Sequence, residues 1–157
     1  MKDVTTFLWF DGKAMDAAEH YTSIFEDGKI LEVTENGSAG PGEPGSVLTV
    51  DFELAGRRYI ALNGGSGDAF NTSVSLMVHC DTAEEVDYFW ERLSEGGEKG
   101  PCGWLKDKFG LSWQVTPTLM FELQKDPNQV KAQAVVAAML RMGKLDPAEL
   151  QAAFDAA

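Results

Sequence analysis

Few residues in this 157-residue chain are of the types that carry covalent or metal chemistry, and their spacing sorts them. The two histidines, His20 and His79, lie in separate stretches with no H-x-x-x-H or H-x-H spacing. A ligand or catalytic base needs a positioned partner, so both read as surface or packed histidines. Cys80 and Cys102 are isolated, with no C-x-x-C spacing, and point to reduced thiols rather than a disulfide framework. Of the acidic pairs, Glu84-Glu85 opens a helical stretch, where carboxylates complement the helix dipole, and Glu149 with Asp155 lies near the end. No Ser-His-Asp order with an elbow motif occurs. Gly64-Gly65-Ser66-Gly67 is Gly-rich, but no Lys-Ser/Thr follows it and no helical pattern begins at once, which argues against a phosphate loop.

What remains is a row of neutral polar groups. Residues 103–117 read as a strand, a turn and a second strand. Asp107 to Gly110 carries the turn chemistry. Leu111, Trp113 and Val115 then alternate with Ser112, Gln114 and Thr116, the period of a strand with one apolar face. Pro117 cannot donate to a ladder and ends it. The polar row must face either water or a polar cavity.

The elements that would position this row follow from patterning. Residues 5–10 form an apolar strand. Ala14, Ala17, Ala18, Tyr21, Ile24 and Phe25 recur at helical spacing, and Asp27-Gly28 ends that helix. Residues 29–34 read as a strand. Residues 36–45, dense in Gly and Pro and without core residues, read as a mobile loop or lid. Strands 47–54 and 57–62 join at Ala55-Gly56. After a Gly-rich linker the pattern restarts: strand 74–80, then a helix with a Thr82/Glu85 capping box and Val86, Phe89, Trp90 and Leu93 on one face, ended by Gly96-Gly97. The 104–116 hairpin closes the second half. Asp11 matches Asp81, Gly28 matches Gly96, and the turn at Gly56 matches that at Gly110. This is an architectural repeat with little residue identity. Beyond it, Val130, Ala134, Ala137, Ala138 and the Leu140-to-Met142 stretch predict a helix stopped by Gly143. Asp146-Pro147 opens a last helix over 148–154.

The run Cys102 to Gln114, with its Asp-x-x-Gly followed by x-x-x-Gln, resembles the last strand of the vicinal oxygen chelate superfamily. Glyoxalase I, bleomycin-resistance proteins and extradiol dioxygenases belong there. The run is most similar to the PhnB-like branch, which also carries the label of a 3-demethylubiquinone-9 3-methyltransferase domain. The resemblance implies an α+β fold of paired βαβββ modules, about 1–63 and 73–117, whose curved mixed sheets surround a cavity. Together they make a glyoxalase-like domain over 1–117, followed by a helical extension over 118–157.

The resemblance also implies where metal ligands would stand: on the opening and closing strand of each module. Those positions are Thr5 and Ser75 on the opening strands. On the closing strands they are Gln114 and either Ile60 or Ala61. The set has no imidazole or carboxylate, so no metal and no cofactor are expected. The methyltransferase label implies a Gly-rich loop directly after a first strand, and Phe10-Asp11-Gly12-Lys13 is not one. The expected site is a cavity for a small organic molecule lined by Phe7, Trp9, Asn63, Ser75, Met77 and Gln114. The alternative is a glyoxalase-like lyase or isomerase with an unidentified acid-base residue; whether the chain is an enzyme stays open.

Composition bounds the partners. The net charge of −12 repels phosphate backbones and argues against nucleic acid. With no leader-like segment and no long apolar run, a cytoplasmic protein without a membrane partner is expected. The resemblance implies a homodimer, with the tail helix and Trp90 as candidate contacts.

Overall fold

Alternating apolar residues in two Gly-turned hairpins and two short leading strands build a pair of sheets, each covered on one face by a helix. The computed structural model describes residue 2 and residues 4–157. The chain divides into two compact units, 1–68 and 69–157.

In the first unit, β1 (Thr6–Phe10) leads into α1 (Ala14–Ile24), followed by β2 (Lys29–Glu35), β3 (Val47–Leu54) and β4 (Arg57–Asn63). The sheet order is β1-β4-β3-β2, with β1 parallel to β4 and the other pairs antiparallel. Ala14, Ala17, Ala18, Tyr21 and Ile24 form the buried face of α1. They meet the inward residues of the sheet, among them Val50, Phe52 and Ala61. Tyr21 stacks on Phe52 and Phe52 on Tyr59, with ring centroids 6.1 and 5.4 Å apart. Each large apolar side chain buried this way stabilises the unit by roughly 1.5–3 kcal/mol. The β3–β4 turn has positive φ at both Ala55 and Gly56, the twist a two-residue hairpin needs. Asp27 braces it by accepting from both backbone N–H groups, at 2.9 and 3.0 Å.

The second unit repeats the plan: β5 (Leu76–Cys80), α2 (Ala83–Ser94), β6 (Glu98–Lys99), β7 (Trp104–Lys106) and β8 (Ser112–Pro117). Its order is β5-β8-β7-β6, with β5 parallel to β8. The repeat extends to register. Phe7 lies opposite Ile60 in the first sheet, as Met77 lies opposite Gln114 in the second. Gln114 therefore corresponds to Ile60, and Ala61 drops out of the two readings. The Thr82/Glu85 capping box forms as expected. The two sheets, each with both parallel and antiparallel pairs, are the α+β paired βαβββ fold that the sequence implied.

Three features depart from the sequence reading. The 36–45 loop does have a core residue: Asn36 is buried, and its side chain accepts from Gly42 N–H and donates to Ser46 Oγ at 3.0 Å. The loop closes on that amide. Trp90, expected as a subunit contact, is 4% exposed and packs inside its own unit, so it offers a partner nothing. A helix directly after β8 was not foreseen: α3 (Thr118–Gln124), followed by the expected α4 (Gln129–Met139) and α5 (Pro147–Asp155). These three make a separate core of Met120, Leu123, Val135, Ala138, Leu145 and Leu150. Met139 and Met142 pack against that core. Val130 on α4 and Leu140 at its C-terminal cap are large apolar residues left exposed.

Candidate functional site

In each sheet the face away from the helix is the candidate surface, because strand alternation sends every second side chain there. In the first unit that face holds Phe7 and Trp9 on β1, Ile60 and Leu62 on β4, and Thr49 and Asp51 on β3. Phe7 is 55% exposed and Trp9 42%. Large apolar groups left open in this way on a strand face are a binding signal when they cluster. Trp9 is fixed in place. Its indole N–H donates to Gly65 O at 3.0 Å, and its ring lies where a Cβ on Gly64 would sit, 2.1 Å from that point. The Gly-rich segment after β4 is thus a bed for Trp9.

Asn63, expected in the ligand site, has both ends of its amide engaged. Its Oδ1 accepts from Ala14 N–H at 2.9 Å and its Nδ2 donates to Val47 O at 3.0 Å. It ties the start of α1 to β3 and occupies a helix-terminal N–H that an anion would otherwise use. Asp51 was missed by sequence reasoning. It is buried on the same face as Phe7 and Ile60 and is held by a bidentate Arg58 guanidinium, Nε to Oδ1 at 2.7 Å. A carboxylate in the middle of the Val47–Leu54 strand was the available signal.

In the second unit the corresponding face holds Met77 and His79 on β5, Ser112, Gln114 and Thr116 on β8, and Trp104 and Lys106 on β7. The structure brings Ser75, Met77 and Gln114 together. Gln114 lies opposite both Met77 and Trp104 in the ladders, and its Nε2 donates to Ser75 Oγ at 2.9 Å. Met77 is 38% exposed. The rest of the polar row, Ser112 and Thr116, is buried. His79 stays exposed beside the Phe121 ring of α3, with centroids 5.6 Å apart. Thr118 Oγ1, 3.0 Å from Asp81 Oδ1, fastens the start of α3 to the end of β5. A cleft of about 150 Å³ opens along the β6–β7 edge, lined by Gly100, Pro101, Trp104, Lys106 and Ser112 among others.

The motif that organises the last hairpin is a buried acceptor. Asp107 accepts from Phe109 N–H at 2.8 Å, Leu111 N–H at 3.0 Å and Trp113 Nε1 at 2.9 Å. Asp and Gly of Asp-x-x-Gly therefore shape the turn and seat Trp113, and Gln114 is the residue presented. Cys80 is buried beneath this sheet. Burial, with the Glu85 and Asp81 carboxylates nearby, pushes its thiol up to about 12, which removes it as a nucleophile.

A metal is tested by the donors present. The first unit offers Thr5 and Ile60 at the superfamily's ligand positions, and the second offers Ser75 and Gln114. Hydroxyl, aliphatic and amide groups do not fit a divalent transition ion. Among the described residues no three His, Cys, Asp or Glu side chains converge.

The comparisons agree with this architecture. A family model described as 3-demethylubiquinone-9 3-methyltransferase matches residues 2–116, ending within β8. A PhnB protein from Bacillus cereus, described by the same enzyme name, is 33% identical. The match covers 74% of this chain and 100% of that one, with a TM-score of 0.66. A protein from Pseudomonas aeruginosa shares the fold at 17% identity and a TM-score of 0.64, over 74% and 98% of the two chains. The fosfomycin resistance protein FosX from Listeria monocytogenes does so at 14% identity and a TM-score of 0.51, over 74% and 93%. No curated protein sequence matches the chain. The chain belongs to the 3-demethylubiquinone-9 3-methyltransferase family and is PhnB-like.

Proposed function

We propose that the chain binds a small organic molecule without a metal, on the sheet faces that the helices leave uncovered. The observation that carries this reading is the grouping of half-exposed Met77 and Trp104 around the Gln114–Ser75 pair. Apolar walls with a few fixed polar groups suit such a ligand. Phe7 and Trp9 give the first unit a similar aromatic surface. One FosX structure is a complex with Mn(II) and a dihydroxypropylphosphonic acid. Here the donor set favours the organic half of such chemistry over the metal half. The family's methyltransferase description calls for a nucleoside methyl donor. Asp11-Gly12-Lys13 and the engaged Ala14 N–H give it no Gly-rich cradle, so methyl transfer is not part of the proposal. A homodimer is part of the same reading.

Thermal-shift screening of small organic molecules tests it, with S-adenosylmethionine and Mn(II) in parallel. Organic ligands that raise Tm in the wild type and lose that effect in Gln114→Leu support the proposal. Stabilisation by S-adenosylmethionine or Mn(II) alone contradicts it.

A further inference from the structure

We infer that the cleft at the β6–β7 edge takes a planar, single-ring aromatic molecule carrying one anionic group. This deepens the proposal above and rests on it, because the cleft opens beside Gln114 on the same sheet face.

Size sets the first limit. A cleft of about 150 Å³ accommodates a benzene-sized ring. Shape sets the second. Trp104 is half-buried and offers an aromatic face, with Pro101 as a further apolar wall. Offset stacking on an indole favours flat ligands. The walls are also held in advance. Gly100 N–H donates to Trp104 O at 2.8 Å and Trp104 N–H to Pro101 O at 3.0 Å. The β6–β7 ladder pairs Lys99 with Leu105 and Glu98 with Lys106. Ser112, fully buried, is fixed to Asn71 O. A cleft built on paired backbone loses little ordering entropy when filled.

Charge gives the third. Two cations, Lys99 and Lys106, and one carboxylate, Glu98, line the cleft. Lys99 is held by both carboxylate oxygens of Glu91 at 2.7 Å. Lys106 stands 4.0 Å from Glu98, whose side chain is 79% exposed. An anion entering over Trp104 meets Lys106 with only a loose competitor. The overall charge of −12 opposes an anion at long range, so the ring supplies more of the affinity than the charge does.

Ligand-observed NMR with benzoate, benzamide and benzylammonium against the full chain tests this. Saturable benzoate binding is expected, stronger than that of the other two. Trp104→Ala should weaken it about tenfold or more, and Trp104→Phe should retain it. Lys106→Gln should weaken benzoate about threefold and erase the preference over benzamide. Circular dichroism checks each variant, and the Trp104→Phe and Lys106→Gln chains decide the matter if Trp104→Ala does not fold. Absent benzoate binding, binding indifferent to Trp104, or equal binding of benzylammonium overturns the inference. If those results come with other organic ligands bound through Gln114, the broader proposal stands. If no organic ligand binds at all, both fall.

Discussion

Replacing Asp107 by Ala removes one buried acceptor from three donors, two of them backbone and one the Trp113 indole. Charge-assisted bonds of this kind carry the larger stabilities. Asp107→Ala should therefore cost about 3 kcal/mol, read from urea unfolding, with an unchanged m-value if the fold is kept. Cys80 makes a pH prediction. Its thiol is raised from the usual 9 to about 12 by burial and two nearby carboxylates, so the folded state holds the proton more tightly than the unfolded one. That contribution is complete below pH 9 and is lost as the pH rises toward 12. Alkaline unfolding should be steeper in the wild type than in Cys80→Ala, and thiol reagents at neutral pH should label Cys80 only after denaturation. At this scale the sequence was legible where a residue acts through its own turn or cap, as Asp107 and Thr82 do. It was not legible where a partner lies outside the residue's own turn or cap. Asn63, Asp51 and Asn36 owe their roles to Ala14, Arg58 and Gly42, and no local pattern announces those pairings.

Most helices and strands were legible because apolar period and punctuation agreed. The Asp146 N-cap with Pro147 opens α5, and the Ala55-Gly56 turn joins β3 to β4. Two elements were not. β6 is two residues long and exists only through its ladder with β7. α3 starts straight after Pro117 with no side-chain cap, and its inward residues pack on helices that follow it. Asn63 tests how elements are joined. Asn63→Ala should lower stability by about 1–2 kcal/mol by freeing the start of α1 and the edge of β3. A ligand bound beside Gln114 should keep its affinity in that variant, and a large loss of binding would return Asn63 to the site.

Across the whole chain, the duplication is clearest in register: Phe7 with Ile60 answers Met77 with Gln114. The sequence showed this as two strand-helix-hairpin blocks, and the family match covers both. The three C-terminal helices lie beyond the matched residues and build a core of their own around Val135 and Leu150. Thr116 is buried, and the candidate site in the second unit rests on Ser75, Met77, Trp104 and Gln114. The positions that the superfamily resemblance assigns to metal ligands hold Thr5, Ile60, Ser75 and Gln114, and the proposed metal-free binding rests on that donor set. Native mass spectrometry of the chain purified without chelator, then exposed to Mn(II) and to small organic molecules, tests it most directly. Organic adducts and no stoichiometric divalent ion are expected. A divalent ion bound one per chain, and lost in Gln114→Leu, would contradict it.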